Sequence, residues 1–185
     1  MNLATSRERH RAIVASSWMK KRDSLWGSDS VCIIIDTNLS AKVFRSPVHV
    51  DFLPIIQWLF DKEGCLIYGG HLAKELEEVR HVGRALRVLI QAGKAVRVSD
   101  EKVNDEEKIV TQTGFCCSND HHVIALARVS GARTLCSLDQ DLQKDFRNHR
   151  LITNPRGSVY QRAEHSRLLR HTSSCGRRID SRKRR

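Results

Sequence analysis

Short apolar runs and helical periodicities alternate along the middle of the chain. The segments "VCIIID", "CLIY", "AVRV" and "TLCS" are apolar and mostly rich in β-branched residues, which predicts buried strands. Between them, "DFLPIIQWLFDKEG", "GGHLAKELEEVRHVGRALRVLIQAG", "DEKVNDEEKIVTQTG" and "SNDHHVIALARVSG" have the spacing, caps or polar faces of helices. This alternation indicates crossover connections. We therefore predict an α/β fold, a three-layer α/β/α sandwich around a parallel sheet of four to five strands.

The pattern weakens toward both ends of the chain. We predict a helical extension in residues 1–29, one domain in residues 30–153 and a basic, flexible tail in residues 154–185. The segment "RLIT" in residues 150–153 is a candidate for a last edge strand. No window approaches the roughly 20 apolar residues of a membrane span, and the N-terminus lacks the apolar region of a secretory signal. We expect a cytoplasmic protein without membrane contact.

The positive charge is concentrated at one end. The net charge is +11, and residues 147–185 hold 12 Lys or Arg against two acids, so that the remainder carries only +1. A cationic arm on a nearly neutral body predicts a polyanionic partner, although a merely solubilising tail is the alternative. The six cysteines lack the CxxC pairs of zinc sites, and we expect buried free thiols.

Four acids fall where a parallel sheet would form a cleft. Asp36 ends the first strand, Asp139 follows the fourth, Asp120 opens a helix, and Glu75 lies in the helix after the second strand. Ligands bind at the carboxyl ends of such strands. Each acid alone is better explained as a helix cap than as a catalytic group, but four that converge repel one another unless a cation or a shared proton lies among them. An all-oxygen set suits Mg²⁺ or Mn²⁺.

The segments "IIIDTN", "LAKELE", "NDHHVIALARVSGARTL" and "SLDQDL" together resemble the signature segments of the PIN domain, a metal-dependent nuclease fold of toxin ribonucleases and RNA-processing factors. The resemblance covers residues 30–153, and "LAKELE" is its weakest segment because Glu77 and Glu78 compete with Glu75 for the same role. The resemblance implies catalytic, metal-binding roles for the four acids Asp36, Glu75, Asp120 and Asp139. It implies a metal-binding or helix-capping role for Asp141. It also implies supporting roles for the small polar residues Asn38 and Ser137.

The resemblance implies an endoribonuclease in which water activated by Mg²⁺ or Mn²⁺ attacks phosphorus, leaving 5′-phosphate and 3′-hydroxyl ends. We give His71, His121 and His122 surface or packing roles, because neighbouring helical side chains point about 100° apart and at most one of an adjacent pair faces a site. The acids repel a phosphate backbone, so cations near the cleft must hold the substrate. The candidates are Arg45, Arg80, Arg84 and Arg133.

Several alternatives stay open. A noncatalytic nucleic-acid-binding scaffold would keep the same fold, and a flap-type DNA nuclease would share related geometry; RNA is favoured over DNA by fold-level analogy alone. A dehalogenase-type phosphatase is disfavoured because Asn38 stands where its second Asp is required. The sequence does not choose between a toxin with an antitoxin partner, a defence nuclease and an RNA-processing enzyme, and it leaves a homodimer open.

Overall fold

The structure, a computed structural model, describes residues 32–61, 64–153 and 155–170. These residues form one parallel sheet of five strands in the order β3-β2-β1-β4-β5. The strands are β1 (Cys32–Ile35), β2 (Cys65–Gly69), β3 (Ala95–Val98), β4 (Thr134–Cys136) and β5 (Ser158–Tyr160).

Helices surround this sheet and complete a three-layer α/β/α fold, which confirms the predicted fold class. All four residues of β1 are at most 1% exposed, and burial on both faces explains why "CIII" has no polar member. The helices are α1 (Thr37–Val43), α2 (Leu53–Asp61), α3 (Gly70–Glu78), α4 (Arg80–Gln91), α5 (Asp100–Thr113), α6 (His121–Ser130) and α7 (Gln140–Arg147), followed by a 3₁₀ helix (Ala163–Arg170).

The strand order creates a switch point beside β1. The chain runs outward from β1 through β2 to β3, then returns across the sheet to form β4 and β5 on the other side of β1. Connections that leave neighbouring strands in opposite directions open a crevice at the carboxyl ends of those strands. The loops after β1 and β4 border this crevice.

The structure corrects the predicted end of the domain. Residues 150–153 form a turn rather than an edge strand, and the fifth strand is Ser158–Tyr160, inside the segment predicted to be a tail. Val159 is 4% exposed and Tyr160 is fully buried, with its hydroxyl donating a 2.8 Å hydrogen bond to the Asp51 carbonyl. Three residues are too few to show a strand pattern. The domain therefore extends beyond residue 153, whereas the predictions for residues 1–29 and 171–185 lie outside the described residues.

The long helical pattern after β2 is also divided. Val79 has an extended conformation (φ −81°, ψ 102°) that ends α3 and begins α4. The apolar spacing continues across this break, so the pattern alone did not reveal it.

The cysteine prediction holds in part. Cys65, Cys116, Cys117 and Cys136 are free thiols, although Cys116 is only half-buried and Cys117 is exposed. Cys32 is disulfide-bonded, so the expectation of a free thiol was wrong there. No helix in the described ranges is both long and apolar enough to cross a membrane.

Candidate metal centre

Two predicted acids lie beside each other at the carboxyl edge of the sheet. Ile35 pairs with Cys136 at the ends of β1 and β4, and the Asp36 N–H donates a 3.0 Å hydrogen bond to the Cys136 carbonyl. The chain after β4 continues through Ser137 to Asp139. The parallel register therefore delivers both acids to the crevice at the switch point.

Ser137 links the two acids directly. Its hydroxyl donates to Asp36 Oδ2 at 2.8 Å and accepts from the Asp139 N–H at 3.0 Å, and the serine is fully buried. Its predicted supporting role has this geometric basis. Asn38 contributes through its backbone N–H, which donates to Asp36 Oδ1 at 3.3 Å, while its side chain is exposed.

Both acids also cap helices. Asp36 is the N-cap of α1, and Asp139 is the N-cap of α7, where Oδ1 accepts from the Leu142 N–H at 2.7 Å. Asp139 Oδ2 receives no hydrogen bond from the described residues, so one oxygen remains for a ligand. Capping places each carboxylate at the positive end of a helix dipole, which offsets part of the repulsion between them.

Asp120 and Glu75 belong to the same electrostatic cluster. Burial raises the pKa of Asp36 above its usual value, and the charges of Asp120 and Asp139 raise it further, against the lowering effect of the Ser137 and Asn38 hydrogen bonds. Burial is also the largest cause of the raised pKa of Asp120, and Asp139 and Glu75 add to it, against the lowering effect of His122. Asp120 therefore interacts with the other three acids, which places the four carboxylates in one group.

The Asp120 carboxylate is available for a ligand. Asp120 occupies the N-cap position of α6, but its side chain makes no capping bond to that helix. Its own N–H is held at 3.3 Å by the Ser118 hydroxyl, within a loop anchored by Asp145. Asp145 of α7 is 1% exposed and accepts the Cys117 and Ser118 N–H groups at 2.8–3.0 Å.

Glu75 reaches the cluster from α3. Its Oε2 accepts a 2.6 Å hydrogen bond from the Thr37 hydroxyl, next to Asp36 in the chain. About a third of the Glu75 side chain is exposed, so it borders the crevice rather than the core. This contact joins α3 to the start of α1.

Two histidines surround Glu75, and sequence reasoning gave neither a role in the site. His71 Nδ1 lies 3.3 Å from Glu75 Oε1, and His122 Nε2 lies 3.8 Å from Glu75 Oε2. Ligand atoms of the three residues all lie within 4.8 Å of one another, so this group can hold a metal ion. The i,i+4 spacing of His71 and Glu75 was the available signal, since such residues share one helical face. We name this group the His–Glu triad.

Asp141 lies apart from these contacts. Its side chain is 55% exposed and pairs with Lys144 Nζ at 2.7 Å, one turn further along α7. This ion pair satisfies the carboxylate locally. Among the described residues, no contact ties Asp141 to the other four acids.

The prediction that Arg133 binds the nucleic-acid substrate is wrong. Arg133 is 7% exposed, and its guanidinium donates to the carbonyls of Ala127, Ala132 and Thr153 at 2.8–3.1 Å. It directly precedes β4 and so lies at the amino end of that strand, away from the acids. Arg45, Arg80 and Arg84 are exposed, and their proposed contacts with substrate stay predictions.

A cleft of about 510 Å³ adjoins the acidic crevice. Leu138, which lies between Ser137 and Asp139, forms part of its wall, and the cations Lys42 and Arg162 face it from α1 and from the loop after β5. Phe52 and Leu138 supply apolar surface, and His49 and Gln161 supply polar groups. Asp51 adds one carboxylate, which lies 3.3 Å from His49 Nδ1. We call this the side cleft.

Comparison with known proteins brings no match from any protein-family model, curated protein or solved structure.

Proposed function

We propose that this protein is a metal-dependent nuclease that hydrolyses RNA phosphodiester bonds. The observation that carries the proposal is the Ser137 bridge, which holds Asp36 and Asp139 together in an acidic cluster that also includes Asp120 and Glu75. The resemblance of the four sequence segments to PIN domains supports the same activity.

The residues fit a hard divalent cation. The four side chains offer only carboxylate oxygens, which are the ligands that Mg²⁺ and Mn²⁺ prefer. Asp36 is only 5% exposed, yet two other acids lie near enough to raise its pKa. Such a cluster is destabilised at neutral pH without a cation, and a cation would relieve the repulsion.

The contacts of each carboxylate indicate its role in holding the cation. Asp36, fixed by the Ser137 hydroxyl and the Asn38 N–H, is suited to anchor the ion, while Asp120 and the second oxygen of Asp139 are suited to complete its shell. A bound Mg²⁺ or Mn²⁺ would supply Lewis-acid stabilisation of phosphate charge and would lower the pKa of water. Thr37 positions Glu75 beside this group. No side-chain nucleophile is required.

The side cleft is suited to hold the substrate backbone next to the acids. Lys42 and Arg162 would bind phosphates, and the exposed face of Leu138 would contact sugar or base. Residues 171–185 add six Lys or Arg, which favours sequence-independent attraction to a polyanion. RNA rather than DNA, an antitoxin partner and a homodimer stay predictions from the resemblance.

The test is cleavage of labelled single-stranded RNA and DNA by the full chain in Mg²⁺, in Mn²⁺ and in EDTA. We expect metal-dependent cleavage of RNA that falls at least about 100-fold in Asp36→Asn and Asp139→Asn. Asp105→Asn is the matched control, because this exposed carboxylate pairs with Lys108 on α5, outside the cluster. Cleavage that survives EDTA or both cluster variants would remove the assignment. RNA binding without cleavage would instead favour the scaffold alternative, and preferential cleavage of DNA would favour the flap-type nuclease.

A further inference from the structure

We propose that the His–Glu triad of His71, Glu75 and His122 is a transition-metal site, separate in ligand chemistry from the all-oxygen acid cluster beside it. The two sites share Glu75 and differ in everything else. Binding at the triad does not rest on the proposed nuclease activity, because metal affinity is measured directly.

The triad has the spacing that a small metal ion needs. Ligands held about 2.1 Å from a tetrahedral metal lie about 3.4 Å from one another. His71 Nδ1 and Glu75 Oε1 are 3.3 Å apart, and His122 Nε2 and Glu75 Oε2 are 3.8 Å apart. All three ligand atoms fall within 4.8 Å, so small side-chain rotations suffice to close the set.

The surroundings hold two of the three ligands in place. The His122 side chain is only 7% exposed, and its ring packs edge-on against His71 with centroids 5.2 Å apart. Its Nε2 lies 3.8 Å from Glu75 Oε2, which is longer than a hydrogen bond, so the two groups are near each other without being bonded. The Thr37 hydroxyl fixes Glu75 at Oε2. His71, at 60% exposed, is free to turn toward an ion.

The donor set selects a class of metal. Two imidazoles and one carboxylate suit Zn²⁺ and its neighbours Co²⁺ and Ni²⁺, and they leave further positions open for water or substrate. Mg²⁺ prefers oxygen and binds imidazole poorly. The two sites are therefore distinguishable in one solution, because excess Mg²⁺ would occupy the Asp36, Asp120 and Asp139 carboxylates without competing for the two imidazoles of the triad.

The experiment titrates Zn²⁺ by calorimetry, and Co²⁺ by visible absorption, into the metal-stripped full chain in excess Mg²⁺. We expect one Co²⁺ per chain, with d–d bands and without the charge-transfer band of a thiolate ligand. His71→Ala should weaken binding at least about tenfold. His49→Ala is the matched control, because His49 Nδ1 also lies 3.3 Å from a carboxylate, that of Asp51, and is also about 60% exposed.

Two further variants locate the ion. His122→Gln tests the buried ligand without opening a large cavity, and we expect a similar loss of affinity. Asp139→Asn should keep Co²⁺ affinity within a few fold, even though it is expected to abolish cleavage. The absence of stoichiometric binding, equal affinity in His71→Ala and wild type, or equal losses in Asp139→Asn and His71→Ala would each overturn the triad. None of these results depends on whether the protein cleaves RNA.

Discussion

The Ser137 bridge permits a direct test of the charge on Asp36. Ser137 and Ser130 are both fully buried, and each hydroxyl donates one hydrogen bond and accepts one. Ser137 donates to the Asp36 carboxylate and accepts from a backbone N–H, whereas Ser130 donates to the Leu126 carbonyl at 2.6 Å and accepts from the Ala132 N–H at 3.1 Å. The two sites thus differ chiefly in the charge of the acceptor.

The expected loss of stability in each serine variant follows from that difference in acceptor charge. Two neutral hydrogen bonds contribute about 0.5–1.5 kcal/mol each, so Ser130→Ala should lower the free energy of unfolding by about 1–3 kcal/mol. One bond of Ser137 ends on a charged group and contributes about 1.5–3 kcal/mol, so Ser137→Ala should cost about 2–4.5 kcal/mol. These costs are measurable against a typical total stability of about 5–15 kcal/mol.

The pH dependence separates the two variants further. Burial raises the pKa of Asp36 above 3.8, and the Ser137 hydrogen bond acts against that rise, so its removal raises the pKa more. The folded variant then holds a proton that the unfolded chain releases, and its stability falls as pH rises from 3.8 through the folded pKa. The cost of Ser137→Ala should therefore be larger at pH 8 than at pH 4.5, while that of Ser130→Ala should stay constant.

The assay is urea unfolding followed by circular dichroism, in EDTA, at both pH values. A cost for Ser137→Ala that is independent of pH and equal to that of Ser130→Ala would refute the argument that Asp36 is a buried charge stabilised by this bridge. A Mg²⁺ titration of the same variants would then show whether the cation replaces the lost bond.

Three other predictions concern two positions in or beside α7 and the basic end of the chain. Asp145→Asn should lower the free energy of unfolding by about 2–4 kcal/mol, because it removes the buried carboxylate that accepts the Cys117 and Ser118 N–H groups. A change below about 0.5 kcal/mol in urea unfolding would contradict this prediction. Gly157→Ala should lower the Tm, since a Cβ would lie 2.6 Å from Phe146 Cδ1 and force β5 outward; an unchanged Tm would contradict it. Replacing the four cations of residues 182–185 by Gln should reduce the salt slope of RNA binding by up to about 2.8, and an unchanged slope in fluorescence anisotropy would exclude this role.

The fold was predictable where burial dictates composition. β1, β2 and β4 carry apolar runs because both of their faces are covered, and the helices between the strands keep helical spacing. The edge strand β3 is only partly buried, but three of its four residues are apolar. β5 was not predictable, because Ser158–Tyr160 is only three residues long and follows a polar stretch. Its identity as a strand depends on pairing with β4, a contact that no local pattern encodes.

The site was predictable to the extent that topology places its parts. The acids after β1 and β4 meet because parallel strands end at one edge. The roles of the charged side chains could be assigned only from the three-dimensional structure. Arg133 looked like a loop cation, but its guanidinium turns inward to three carbonyls. His122 was given a surface or packing role, and α6 does bury it, but it lies beside Glu75 in the site. In both cases packing sets the orientation of one long or planar side chain, and that orientation determines the role of the residue.

The capping geometry also determines which substitutions can test the chemistry. Asp36 and Asp139 each serve a helix and the acid cluster at the same time, so a loss of activity in an alanine variant would not distinguish a missing ligand from a frayed helix. An Ala at an N-cap costs about 0.5–2 kcal/mol, whereas Asn caps about as well as Asp. Asn therefore keeps an oxygen for the Leu142 N–H of α7 while it removes the negative charge that a cation needs. Capping and metal binding are compatible because a carboxylate has two oxygens, and at Asp139 the helix occupies only one of them.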